Sequence, residues 1–223
     1  MENDTLGDFT PRGITVDSIT KIVHVAGSGP AVVLMPELPG ISPDVARFGR
    51  WIRDAGFTVY MPSLFGVDGS YPTVELGKEI YNRICVSAEF HVLAGDGTSP
   101  VVSWLRGLAR VAHEECGAAG VGAIGLCLTG NFALTMSLEP SVIAPVINHP
   151  SLGDRFDGRV LSDEYANPNP PPFFVQRVQT PHSVVTAHLV DRDGHPALEA
   201  RDQILAFLRD RLGARSTHEH HQS

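Results

Sequence analysis

The residues best placed to do chemistry lie in Gly125-Leu126-Cys127-Leu128-Thr129-Gly130. An apolar run, Val121–Leu126, precedes the cysteine, and helical spacing follows it to about residue 138. A thiol at such a strand-to-helix turn projects above the edge of a sheet as a nucleophile. The start of the following helix favours the thiolate and offers N–H groups to a developing oxyanion. The turn crowds the position two before the nucleophile, which calls for glycine, and Gly125 meets that need. The second small residue of such turns falls two after the nucleophile, where this chain has Thr129. A buried structural cysteine in a glycine-rich turn would show the same six residues, so the elements around it matter.

Those elements read as a parallel α/β arrangement. Residues 21–25 alternate and read as an edge strand, and Gly27-Ser28-Gly29-Pro30 marks a turn. Ala31–Pro36 is apolar on both faces, as a buried parallel strand requires. Ser42-Pro43 opens a helix with Val45, Phe48 and Ile52 on one face, and Gly56 closes it. A strand over 57–62, a short helix around 74–87 and a helix from Ser99-Pro100 to Gly117 follow. After the strand 121–126 and its helix, 142–147 is a strand, and a last helix runs from Pro196 to Gly213. This organisation predicts one domain over 1–213, with 214–223 a disordered tail.

The six residues around Cys127, together with Met35-Pro36-Glu37-Leu38-Pro39-Gly40 and Pro181-His182-Ser183, resemble the dienelactone hydrolase family of α/β-hydrolases. The resemblance covers most of 20–150 and 175–212. It implies a three-layer α/β-hydrolase sandwich with a mostly parallel sheet. It also implies that Cys127 is the nucleophile, that His182 is its base, and that Glu37 contacts the resting thiol. The backbone N–H groups of Leu38 and Leu128 match the family's oxyanion donors. His195, in Gly194-His195-Pro196, competes with His182, but Pro196 begins a helix and His195 reads as a helix-start residue. His149 falls at the same sheet edge as Cys127 and is treated as a bystander. Cys85 and Cys116 lie on apolar helix contexts and read as small buried hydrophobes.

The family orders its triad Cys, Asp, His, with the aspartate on its own strand and a further helix and strand before the histidine. Only 33 residues separate Asn148 from His182, about the length of one βαβ unit. Residues 163–174 are proline-rich and read as neither strand nor helix, whereas 158–161 reads as a strand. One strand and one helix therefore look deleted near 152–153, which shortens the C-terminal half. Either 159–161 is the last strand and no acid remains, the reading favoured by the resemblance, or it fills the empty slot with Asp163 as the acid. Asp154 and Asp157 precede that strand and are weaker candidates. A triad without its acid keeps part of its rate, and a thiol tolerates the loss better than a hydroxyl. The family clamps an acidic substrate with arginines, one of them just after the histidine. Here 183–186 carries none, and Arg83 is only a loose match for the other.

Composition bounds the rest. The 223 residues are 43% hydrophobic and 19% charged, with a formal net charge of -8, so neither a disordered chain nor a general nucleic-acid binder is expected. No run approaches the ~18 apolar residues of a membrane helix, and the acidic start does not read as a secretory signal. Three cysteines and no metal-ligand spacing point to a cytoplasmic protein without disulfide framework, metal or cofactor. The expected function is hydrolysis of a small carboxylic ester or lactone, with activity weakened by the missing strand. The alternative is a non-catalytic remnant acting as an interaction protein, whose open sheet edge would favour an edge-strand dimer.

Overall fold

The computed structural model describes residues 2–86, 99–148, 174–176 and 185–213. Seven strands are present among them: β1 (Thr10–Val16), β2 (Ile19–Gly27), β3 (Ala31–Met35), β4 (Thr58–Pro62), β5 (Val121–Leu126), β6 (Val142–Asn148) and β7 (Phe174–Gln176). The helices described are α1 (Pro43–Asp54), α2 (Val74–Val86), α3 (Pro100–Cys116), α4 (Gly130–Met136) and α5 (Pro196–Leu212). The sheet runs β1-β2-β4-β3-β5-β6-β7. Its first two pairings are antiparallel and the remaining four parallel.

The central strands bury both faces because helices cover both. On β3, Val32 and Leu34 join one core cluster, while Ala31, Val33 and Met35 join the other. α1 and α5 close the first face through Phe48, Ile52, Ile204 and Leu208. α3 and α4 close the second through Trp104, Leu105, Phe132 and Met136. The helix ends follow local chemistry. The Ser42 hydroxyl accepts from the Val45 N–H at 3.2 Å with Pro43 in the first turn, and Gly213 ends α5 in a left-handed conformation, φ 71°.

Two strand expectations need correction. Residues 21–25 belong to β2, which is not the edge, because β1 pairs outside it. The two strands form a hairpin whose loop residues, Asp17 and Ser18, both have positive φ, 48° and 67°. That is the geometry a two-residue hairpin needs, but Asp-Ser is not the dipeptide that announces it. β1 also contains Pro11 and Gly13 and buries only Ile14 and Val16, so its strand signal is weak. The second correction concerns β7. Phe174 ends the stretch read as non-strand, yet Phe174–Gln176 pairs in parallel with Val146–Asn148. The segment 158–161 lies outside the described residues, as do Asp154, Asp157 and Asp163.

The segment before β1 is fastened to α1 by charge. Arg50 donates to both carboxylate oxygens of Asp4, at 2.7 and 2.9 Å, and to both of Asp8, at 2.9 and 2.7 Å. Arg53 adds a bond to Asp8 at 2.6 Å, and the Arg50 guanidinium lies 5.6 Å from the centre of the Phe9 ring. The clamp seats Leu6 and Phe9 in the core. The hydrogen bonds from Arg50 hold both aspartates below the usual carboxylate range, against the opposing cost of burial. A carboxylate lowered in the folded state contributes its stability above the unfolded value, here 3.8, and loses it as pH falls through the folded value. Arg50→Met is therefore expected to cost about 1–2 kcal/mol at pH 7, since much of the clamp is solvent-screened. The difference from the wild-type chain should shrink steadily below about pH 3.8. Thermal melts of both proteins across that range check it.

Candidate active site

The parallel register aligns the carboxyl ends of four strands. Met35 pairs with Gly125, Leu126 with Asn148, and Asn148 with Gln176. Residues just past these positions share one edge of the sheet, where ligands of open α/β sheets bind. Glu37 and Cys127 each fall two residues beyond the paired Met35 and Gly125, on adjacent strands.

Cys127 begins a single 3-10 turn, Cys127–Thr129, which leads into α4. Its φ is 55°, a left-handed conformation that L side chains seldom adopt. The residue is half-buried. Such strain is maintained only where the surroundings impose it, and they do so here. A Cβ at Gly125 would stand 2.0 Å from the Thr129 carbonyl oxygen and 2.7 Å from the Gly130 Cα. The turn therefore folds back onto the strand it leaves, and glycine is required at 125.

Thr129 explains the departure from a second glycine. It is fully buried. Its hydroxyl accepts from the Leu126 N–H at 2.8 Å and sits 3.1 Å from the Met35 carbonyl, to which it can donate. A side chain thus ties the thiol turn to β3, the strand that leads into the Glu37 loop. Leu128 follows Cys127 in the first turn, where N–H groups have no acceptor within the helix. Leu38 follows Glu37 in a loop held close to the 65–66 turn. Gly40 has φ 144°, and a Cβ there would meet the Phe65 carbonyl at 2.4 Å.

Glu37 is buried, and its Oε1 accepts from the hydroxyl of Thr186, itself buried. Arg47 donates to the Thr186 carbonyl at 2.9 Å and pairs with Asp44 at 3.0 Å. In the sequence Thr186 stands out only as not being an arginine. Its contact with Glu37 spans 149 positions, and no local pattern announces a contact of that length.

Several expected residues fall elsewhere or outside. His182 and His149 lie outside the described residues. His195 starts α5, as read, with its Nδ1 accepting from the Ala197 N–H at 3.2 Å. Cys116 is half-buried against the second core cluster, 3.8 Å from the Tyr60 hydroxyl. Cys85 lies in α2, and Arg83 is exposed in the last turn of the same helix. Among the described residues, no helix is long and apolar enough to cross a membrane, and no three of His, Cys, Asp or Glu form a group able to hold a metal.

A strained cysteine at the end of a central parallel strand, with a buried glutamate on the neighbouring loop, can now be set beside known proteins. The dienelactone hydrolase family model matches residues 20–211. The chain belongs to the dienelactone hydrolase family. That membership supports a hydrolase. No curated protein matches the chain in sequence. Among solved structures, a protein named m3DLH shares 18% identity, with 92% of this chain and 97% of that one covered at a TM-score of 0.58. A dienelactone hydrolase from Anabaena variabilis shares 13%, with 92% and 99% covered at 0.56. A dienelactone hydrolase-like promiscuous phosphotriesterase from metagenomic libraries shares 18%, with 92% and 97% covered at 0.55. At these identities the likenesses speak for the fold, and they agree that this chain has the mostly parallel α/β-hydrolase sandwich.

Proposed function

We propose that this dienelactone hydrolase family member hydrolyses carboxylic esters or lactones through Cys127. The observation that carries the reading is the left-handed turn at Cys127, which the missing side chain of Gly125 at the carboxyl end of β5 makes possible. In the first step the Cys127 sulfur attacks the acyl carbon and its proton passes to His182. The Leu38 and Leu128 N–H groups hold the oxyanion, whose charge such donors stabilise when fixed in advance. The alkoxide leaves with the proton from His182, and a thioester remains. Water activated by the same histidine then releases the acid. Glu37 holds the resting thiol. His182 takes this role on the likeness of Pro181-His182-Ser183 to the family's histidine loop.

The reading favoured by the resemblance leaves His182 without an acid, and Asp163 is the alternative candidate for orienting it. Without such an acid, turnover is expected to be slow but present. The family's arginine after the histidine is absent from 183–186, so a neutral ester or lactone fits better than an acidic one. The protein is proposed to work in the cytoplasm and without a cofactor.

The test is covalent. Brief incubation with p-nitrophenyl acetate and acid quenching should yield an acetyl group on the Cys127 peptide, detected by mass spectrometry. His182→Ala should lower both the rate of acetylation and the rate of release by roughly 10²–10⁴. Acetylation spread evenly over the three cysteines would overturn the assignment and favour a non-catalytic interaction protein.

A further inference from the structure

We propose that Thr186 is a positioning residue for the thiol site, holding Glu37 and the loop after β3 in register with Cys127. The inference rests on the reading of Cys127 as nucleophile. Thr186 holds the start of that loop and the helix that follows it. Its hydroxyl donates to Glu37 Oε1, at the start of the loop. Its carbonyl accepts from Arg47 at 2.9 Å, in the helix the loop feeds, and Arg47 is held by Asp44 at 3.0 Å. Leu38, whose N–H faces the oxyanion in the proposed mechanism, lies between the two grips. Both side chains of the key bond are buried, Thr186 at 1% and Glu37 at 8% exposure. A carboxylate in such a place is fixed by the donors it meets, and losing one leaves it free to turn or to draw in water. Glu37 and Cys127 stand at the same step beyond paired residues of neighbouring strands, so a displaced carboxylate is felt at the thiol.

Thr186→Val removes the hydroxyl at nearly constant shape and keeps the carbonyl that Arg47 grips. The readout is iodoacetamide alkylation of Cys127 at neutral pH, followed by peptide mass spectrometry with Cys116 as internal reference. Thr186→Val should slow Cys127 alkylation about fivefold or more while Cys116 is unchanged. Thr186→Ala should do the same, and Thr186→Ser should stay within about twofold of wild type. In a Glu37→Gln background, Thr186→Val should add nothing, because its effect runs through that carboxylate. A merely structural role would slow both backgrounds alike, and that result overturns the proposal, as does a Thr186→Val rate within twofold of wild type. If wild-type Cys127 reacts no faster than Cys116 and Cys85, the nucleophile assignment falls first and the proposal falls with it.

Discussion

Cys127→Ala is expected to reduce p-nitrophenyl acetate hydrolysis to the rate of buffer, a loss in kcat/KM of at least about 10³. The size follows from what the variant removes. Without sulfur no thioester forms, and the histidine, the glutamate and the oxyanion donors have no attacking atom to serve. Residues that act as one unit lose most of their effect together. The same substitution should scarcely alter the fold. Position 127 is only half-buried, and alanine meets the same left-handed backbone as cysteine, φ 55°. A melting temperature within a few degrees of wild type is therefore expected beside the lost turnover. Cys127→Ser should also be nearly inactive, since a hydroxyl is far less ionised than a thiol and depends more on an oriented histidine. Turnover retained in Cys127→Ala would remove the hydrolytic assignment from this turn.

Gly125→Ala is expected to damage both stability and activity. The new methyl would meet the Thr129 carbonyl at 2.0 Å and the Gly130 Cα at 2.7 Å. Both obstacles are backbone, so no rotamer change relieves them and the turn itself must open. Overpacking costs about 1–3 kcal/mol and occasionally more; with backbone on both sides the upper end, about 3 kcal/mol, is expected here, a fall in Tm of about 6–12 °C for a chain of this length. Opening the turn also moves Cys127 relative to the Leu128 N–H and loosens the Thr129 tie to Met35. Displacements of about 1 Å at a reacting centre can cost 10²-fold. Gly77→Ala is the control. Outside its chain neighbours and its own helix backbone, no atom lies within 4 Å of a Cβ there, near the start of α2, so that variant should be neutral or stabilised by up to about 1 kcal/mol. A Gly125→Ala protein with normal melting and turnover would show that the turn is not crowded.

What could be read along the chain was whatever short-range physics writes into neighbouring residues. The apolar run at Val121–Leu126, the glycine before the thiol and the proline-led helix starts at Pro43, Pro100 and Pro196 each follow from local sterics or local hydrogen bonding. The structure has those elements where the spacing puts them. The central strands were legible because burial on both faces leaves an unbroken apolar run. β1 was not, since one face of it is solvated and its turn uses Asp17-Ser18. β7 was not either. Three residues carry no period, and Phe174–Gln176 becomes a strand only because β6 offers a ladder beside it.

The candidate site divides along the same line. Cys127 stood out from its own hexapeptide, and Glu37, Leu38 and Leu128 from their likeness to a family. The sheet order that sets β3 beside β5, and so Glu37 beside the thiol turn, exists only after folding. Thr129 looked like a departure from a pattern until its hydroxyl met Leu126 and Met35. Thr186 looked like the loss of an arginine until it met a carboxylate 149 positions away. A hydrogen bond over that distance imposes no spacing on the residues between, so only the tertiary structure could decide it.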